Sequence, residues 1–190
     1  PNDTTMQDKS IGPLQDAQRA IQMVRERAAE WNIDPQKIGI MGFSAGGHLA
    51  ASASTRFGET LIANPKNTSL RPDFSILIYP VISFMDGITH RGSRENLLGK
   101  NPDPKVLEKY SNELTAGPNT PPAFLVHAGD DASVQVKNSI VYYEALQKHK
   151  IYSNMFIYPK GGHGFGMKNK TSAIQWMNQL KDWISDNKFL

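Results

Sequence analysis

The stretch that decides the fold is Lys37-Ile38-Gly39-Ile40-Met41, followed at once by Gly42-Phe43-Ser44-Ala45-Gly46. The first part is a short apolar run, which predicts a buried strand. From Ser44 onward the residues are small and helix-compatible through Ala53, so a helix is expected directly after the strand. A tight turn must join the two, and a G-x-S-x-G sequence occupies it.

A serine in such a turn takes a strained backbone conformation, and we expect Gly42 and Gly46 to avoid Cβ clashes with the adjacent strand and helix. The start of the helix directs backbone N–H groups toward the space beside the hydroxyl, where they stabilise negative charge on a substrate oxygen. The pattern therefore predicts Ser44 as a nucleophile and the N–H of Ala45 as one oxyanion donor.

Strands and helices alternate along the rest of the chain. Three further apolar runs predict strands at Phe74–Ile78, Ala123–His127 and Asn154–Tyr158, each bounded by Pro, Gly or Asp as buried parallel strands usually are. Helices are predicted from Pro13 to Trp31, at Val136–Lys148 and at Ser172–Ile184, the last with Ala173, Met177, Leu180 and Ile184 on one face. Residues 83–122 break this rhythm, with one short helix near Pro104–Tyr110. The alternation predicts the α/β class with a parallel sheet.

Composition excludes several classes of function. The chain has 190 residues, 39% of them hydrophobic and 21% charged, which suits one domain. Its longest apolar run, Ile76–Ile82, is far shorter than the roughly 20 residues of a membrane-spanning helix. There is no cysteine, which excludes disulfides and cysteine-ligated zinc, and a net charge of +3 from scattered basic residues does not indicate a nucleic-acid partner.

A serine hydroxyl becomes a nucleophile only when a base removes its proton. Among the five histidines, His163 is the predicted base. It lies in the glycine-rich segment 161–166 directly after the last predicted strand, where active sites of parallel sheets collect.

The other histidines are less suited to this role. His48 follows the serine by four residues and is expected to point along the helix, at most as a substrate contact. His127 ends a strand and is expected in the core or behind the catalytic residues, while His90 and His149 are expected to be solvated. Their spacing gives no metal site, and we expect no cofactor.

The acid that orients the histidine is expected after the third strand, where Asp130 and Asp131 follow each other. Asp131 is favoured because one more residue gives reach around the loop, and Asp130 would then cap the turn, but periodicity leaves both open. The chain order Ser44, Asp131, His163 is that of the α/β-hydrolase arrangement.

Five motifs carry a resemblance that spans nearly the whole chain: Gly42-Phe43-Ser44-Ala45-Gly46-Gly47-His48-Leu49, Pro13-Leu14-Gln15-Asp16-Ala17, Tyr79-Pro80-Val81-Ile82, Asp131-x-x-Val134 and Gly162-His163-Gly164. Together they resemble the α/β-hydrolase esterases of the acetyl esterase/acetylxylan esterase type. The resemblance implies Ser44 as nucleophile, His163 as general base and then acid, and Asp131 as the orienting carboxylate. Residues 91–99 are also similar to the family's stretch over the active-site mouth, with no chemical role assigned.

The sequence departs from that family at its start. No strands are predicted before the helix at Pro13, and no His-Gly-Gly-Gly loop supplies further oxyanion N–H groups. We therefore expect a single, partial α/β-hydrolase domain over residues 1–190, a three-layer sandwich lacking the N-terminal part of its sheet. A chain that starts at Pro1, without a signal-peptide pattern, is expected to be a processed or excised piece.

The resemblance implies a serine carboxylester hydrolase that removes small acyl groups, acetyl above all, from xylan-like carbohydrate esters through an acyl-enzyme. Its partners would be small-molecule or oligosaccharide esters, with no nucleic acid and no membrane, and a polysaccharide substrate would place it in the periplasm or outside the cell. The alternatives are a serine peptidase of the prolyl-oligopeptidase type, and an inactive hydrolase fragment or binding module.

Overall fold

The computed structural model describes residues 8–190; residues 1–7, the N-terminal stretch without a signal-peptide pattern, lie outside the described part. The elements in chain order are α1 (Gly12–Glu26), β1 (Gly39–Phe43), α2 (Ala45–Thr55), β2 (Phe74–Ile78), α3 (Arg91–Leu98), α4 (Pro104–Lys109), α5 (Asn112–Thr115), β3 (Ala123–Ala128), α6 (Lys137–Lys148), β4 (Ser153–Tyr158) and α7 (Trp176–Asp186).

The four strands form one fully parallel sheet in the order β1-β2-β3-β4. Because all strands point the same way, their carboxyl ends meet at one edge, and the loops that follow them converge there. Residues facing each other across the strands include Phe43 with Ile78 and Val126 with Phe156. The predicted α/β class with a parallel sheet is confirmed.

Alternate residues of the strands pack against helices on opposite faces of the sheet. Ile76 and Phe124 belong to the cluster that contains Trp176 and Trp183 of α7. Leu77 and Leu125 belong instead to the cluster that contains helix residues of α2 and α6, namely Ala50, Ala51, Tyr142 and Leu146. The period of two along each buried strand thus produces three layers, helix, sheet and helix.

The first helix is shorter than its apolar spacing predicts. It ends at Glu26 rather than Trp31, and Asn32, with a φ of 53°, reverses the chain beyond it. Ala28 is buried, but Trp31 is 42% exposed, and the guanidinium of Arg27 lies 4.9 Å from the centre of its ring. Trp31, which the apolar spacing places in the same stripe as the core residues, therefore packs against the guanidinium of Arg27 and not in the core.

The last helix begins later than predicted and buries a different face. It starts at Trp176, whose backbone N–H donates to the hydroxyl of Tyr158 while that hydroxyl donates to the carbonyl of Ile174. The tyrosine holds the preceding residues in a turn, so the helix cannot begin at Ser172. The buried face is Trp176, Leu180 and Trp183, whereas Met177, predicted on the same face as Leu180, is 37% exposed.

Residues 83–122 contain three short helices, α3, α4 and α5, of which only α4 was predicted. His90 caps the start of α3: its Nδ1 accepts a hydrogen bond from the backbone N–H of Ser93, so a histidine replaces the usual serine or aspartate cap. Residues of α3 and α4 cover a buried cluster that contains Phe84 and Tyr110. No helix within residues 8–190 is long and apolar enough to cross a lipid bilayer.

Candidate active site

Ser44 lies between β1 and α2 in a conformation that non-glycine residues rarely adopt, with φ 52° and ψ −120°. Its backbone is fixed to the end of β2, because its N–H donates to the carbonyl of Ile78 and its carbonyl accepts from the N–H of Val81, each at 3.0 Å. The strained turn predicted from the G-x-S-x-G sequence is therefore present, held by the neighbouring strand.

The glycines of the turn are needed at two positions, one of them different from the prediction. A Cβ on Gly42 would collide with the backbone of Gly46, and a Cβ on Gly47 would lie 2.6 Å from Pro80 Cβ. A Cβ on Gly46 meets no described atom within 4 Å. The expectation of a clash was right for Gly42 and wrong for Gly46, because at the helix end the close approach to the Pro80 segment occurs at Gly47.

His163 connects the serine to an aspartate. Its Nε2 lies 2.8 Å from Ser44 Oγ, and its Nδ1 lies 2.7 Å from Asp131 Oδ2. The histidine comes from the loop after β4, the aspartate from the loop after β3 and the serine from the turn after β1. This arrangement allows the imidazole to take a proton from the hydroxyl while the carboxylate stabilises the imidazolium.

Asp131 is fully enclosed, with 0% of its side chain exposed. Its Oδ1 accepts the backbone N–H groups of Ser133 and Val134, both at 2.9 Å, and its Oδ2 lies 3.3 Å from Nε2 of His127. Burial alone would raise the pKa of this carboxyl, but the hydrogen bonds from His163 and from the two backbone groups outweigh it and hold the pKa below its usual value.

Asp130 has a different task from the one expected. It does not cap its own turn, which Asp131 caps; its Oδ1 accepts the backbone N–H groups of Gly161 and Gly162 at 2.9 and 2.8 Å. These are the two residues immediately before His163. Asp130 therefore fixes the segment that carries the histidine.

Tyr79 fixes the other end of that segment. Its hydroxyl accepts the N–H of Gly166 at 3.1 Å, and the indole N–H of Trp176 donates to the carbonyl of the same glycine at 3.1 Å. The Tyr79 ring also lies edge-on to the His163 ring, with centres 4.9 Å apart. No role of its own is predicted for Tyr79 from the sequence. Its position directly after a buried strand is the feature that could have marked it as a residue near the active site.

The remaining histidines lie away from the hydroxyl. His48 is buried, its Nε2–H donates to the carbonyl of Tyr110 at 2.8 Å, and its ring stacks on Phe84 with ring centres 4.3 Å apart. Burial lowers the pKa of His48 to about 4. His90 was expected to be solvated, but its side chain caps α3. His149 follows the end of α6.

His127 lies behind the triad in the core. It is fully buried, with Nδ1 2.8 Å from Ser139 Oγ and Nε2 2.8 Å from the carbonyl of Val134. Desolvation lowers its pKa, so it is neutral beside Asp131. Within residues 8–190, no three metal-ligating side chains come together as a metal site.

Ala45 is the first residue of α2. The first N–H groups of a helix have no partner within it and carry the positive end of the helix dipole, so this N–H is suited to an oxyanion. It adjoins the Ser44 turn, as the sequence predicts.

Comparisons with known proteins identify the family to which this chain is similar. The BD-FAE family model matches residues 4–146. An acetylxylan esterase of Xylanibacter ruminicola is 42% identical over 182 residues, which cover 93% of this chain and 36% of the relative. An endo-1,4-beta-xylanase B of Butyrivibrio fibrisolvens is 38% identical over 166 residues, 86% of this chain and 26% of the relative.

A solved structure is similar over the same region. The acetyl ester-xyloside bifunctional hydrolase of Caldicellulosiruptor lactoaceticus superimposes with a TM-score of 0.87 at 41% identity, covering 94% of this chain and 66% of that one. The chain therefore spans about a third of the acetylxylan esterase, a quarter of the xylanase and two thirds of the hydrolase.

Proposed function

The chain belongs to the BD-FAE family of α/β-hydrolase esterases, and from this premise we propose that Ser44, His163 and Asp131 hydrolyse carboxylic esters, removing small acyl groups such as acetyl from carbohydrate. The observation that carries the proposal is the unbroken series of contacts from Ser44 Oγ to His163 at 2.8 Å and from His163 to Asp131 at 2.7 Å. A structural serine needs no such partner.

The reaction follows from these contacts. Ser44 Oγ attacks the ester carbonyl while His163 Nε2 takes its proton, and the N–H of Ala45 stabilises the negative oxygen that forms. The intermediate collapses to an acyl-serine as the bond to the sugar oxygen breaks, and the imidazolium gives its proton to that oxygen, which departs as a hydroxyl. A water molecule, deprotonated by His163, then attacks the acyl-serine; the bond to Ser44 Oγ breaks, the imidazolium returns the proton to Oγ, and the carboxylic acid is released. Asp131, held ionised by its hydrogen bonds, keeps the imidazole in the required tautomer throughout.

Two observations support carbohydrate esters as the substrate class. The relatives include an acetylxylan esterase and an acetyl ester-xyloside hydrolase, and the region of similarity to both contains all three catalytic positions. A polysaccharide cannot enter the cytoplasm intact, so we also propose that the protein acts in the periplasm or outside the cell.

The test uses the natural protein and its Ser44→Ala variant with 4-nitrophenyl acetate and acetylated xylan. We expect turnover of both by the natural protein and a loss of at least about 10³-fold in the variant, because the nucleophile is gone. Ser185→Ala, at an exposed serine of α7, is the matched control and keeps full activity. Retained activity in Ser44→Ala, or cleavage of aminoacyl-proline amides in place of esters, would contradict the proposal.

A further inference from the structure

A cavity of about 250 Å³ begins beside the nucleophile turn and follows one face of α2. Ala45, His48, Ser52 and Arg56 line it, and their spacing of three, four and four residues places them on the same side of the helix. The volume equals that of about eight water molecules at about 30 Å³ each. An acetyl group beside the Ala45 N–H would therefore leave most of this space for another part of the substrate.

Arg56 lines the end of the cavity farther from Ser44. Arg56 is 4% exposed, and its Nε and Nη2 donate to the two carboxylate oxygens of Glu59 at 2.8 and 2.9 Å. Its Nη1 is buried and has no hydrogen-bond partner within residues 8–190. The guanidinium carbon lies 4.4 Å from the centre of the Tyr110 ring. Because no water-sized group can reach the buried Nη1, Arg56 forms part of the cavity wall and is not a donor to a ligand.

The charge of Arg56 is already compensated. The hydrogen bond from Arg56 is the main reason why the pKa of Glu59 is lowered to about 2, so Glu59 is ionised at neutral pH. Lys109 lies on the exposed side of the same carboxylate, with Nζ 3.1 Å away. The cavity thus presents a compensated charge and not a free one, which favours a neutral ligand over a second carboxylate.

The wall opposite α2 is formed by α3, which lies in the segment 91–99 for which the sequence predicts no chemical role. Ser93, Asn96 and Leu97 of α3 line the cavity, and no hydrogen bond holds the Asn96 amide to another residue within 8–190. Phe84, stacked on His48, adds a flat aromatic surface. An apolar wall with a few uncommitted polar groups is typical of sites that bind small neutral molecules in a fixed orientation.

We propose that this cavity binds the sugar unit that carries the ester, with the Asn96 amide donating a hydrogen bond to one of its hydroxyl oxygens. The assignment rests on the proposed function, since it is the small size of the acyl group that leaves the cavity to the alcohol part of the substrate. It gives α3 a role in substrate specificity.

The experiment compares the natural protein with Asn96→Ala and with Asn101→Ala, an exposed asparagine that follows α3 and serves as the matched control. The substrates are a monoacetylated xylotriose and 4-nitrophenyl acetate, which has no sugar hydroxyl groups. For Asn96→Ala we expect kcat/KM on the sugar ester to fall roughly three- to tenfold, mainly through KM, and to fall less on the aryl ester. Asn96→Trp, which fills the cavity, should enlarge that difference. Asn101→Ala leaves both unchanged.

A second measurement does not depend on turnover. Calorimetric titration of the Ser44→Ala protein with unacetylated xylotriose should show binding that Asn96→Trp abolishes. An unchanged ratio of the two kcat/KM values in both Asn96 variants, together with unchanged xylotriose binding, would overturn the sugar site while leaving the esterase intact. Failure of the natural protein to hydrolyse either ester would instead overturn the proposed function itself.

Discussion

Replacing Asp131 by asparagine should abolish most activity, and the structure determines how. Oδ1 of Asp131 accepts two backbone N–H groups, those of Ser133 and Val134. Only a carbonyl oxygen can take that place, so in Asp131→Asn the amide NH₂ must occupy the position of Oδ2, opposite Nδ1 of His163. Two donors then face each other, and the imidazole must change tautomer to accept from the amide.

The wrong tautomer carries its proton on Nε2, 2.8 Å from Ser44 Oγ, and cannot take the serine proton. In serine proteases the equivalent change lowers kcat by about 10⁴-fold, which corresponds to about 5 kcal/mol of activation free energy. We expect a loss of this size here, because the geometry that imposes the wrong tautomer is the same. Circular dichroism should be unchanged, since the substitution preserves shape and the two backbone hydrogen bonds.

The assay is kcat for 4-nitrophenyl acetate, with the rate of Ser44 labelling by a fluorophosphonate as a measure that does not need turnover. Asp130→Asn is the matched control, because an asparagine oxygen can still accept from the two N–H groups that Asp130 binds; we expect less than about a threefold loss. If Asp131→Asn kept activity within tenfold of the natural protein, or if Asp130→Asn were the more damaging change, the assignment of the acid would be wrong.

Measurable effects are also expected from changes at Asp130, at the glycines of the Ser44 turn and at His48. Asp130→Ala removes both anchors of the His163 segment, so kcat should fall roughly five- to thirtyfold with KM nearly constant, and recovery in Asp130→Asn is the check. Gly42→Ala should lower the free energy of unfolding by about 3 kcal/mol in urea titrations, whereas Gly46→Ala should leave it unchanged or raise it by up to about 1 kcal/mol; equal effects would contradict the described space. The folded protein keeps His48 neutral down to its pKa of about 4, while the unfolded chain protonates it below about 6.5, so stability should fall by about 2 kcal/mol between pH 7 and 5. His48→Gln should flatten this pH dependence, and an unaltered slope would count against it.

The sequence predicted the strands better than the helix ends, for a physical reason. Phe74–Ile78 matches its prediction, because a fully buried strand of a parallel sheet is an uninterrupted apolar run. Helix ends depend on contacts far along the chain. The hydroxyl of Tyr158 sets the start of α7, and no local pattern around Ser172 reports it.

The residues of the site also differ in whether the local sequence identifies them. Ser44 and His163 are marked locally by glycine-rich turns after apolar runs, and the structure brings both together with Asp131. The choice between Asp130 and Asp131 could not be made from periodicity, since both are polar residues in one loop and differ only in what they reach. The anchoring contact of Asp130 joins residues about thirty positions apart, and distances of that kind follow from the folded chain alone.

The order of the strands explains why the histidine segment needs two anchors. Ser44 follows β1 and His163 follows β4, at opposite edges of the four-stranded sheet. Adjacent strands lie about 4.8 Å apart, so the segment after β4 must bring its imidazole back across about 14 Å. A glycine-rich segment has the freedom to do so but would lose entropy on each productive approach. Asp130 after β3 holds its start and Tyr79 after β2 holds its end, so each strand between the nucleophile and the base contributes a residue that removes that freedom before substrate arrives.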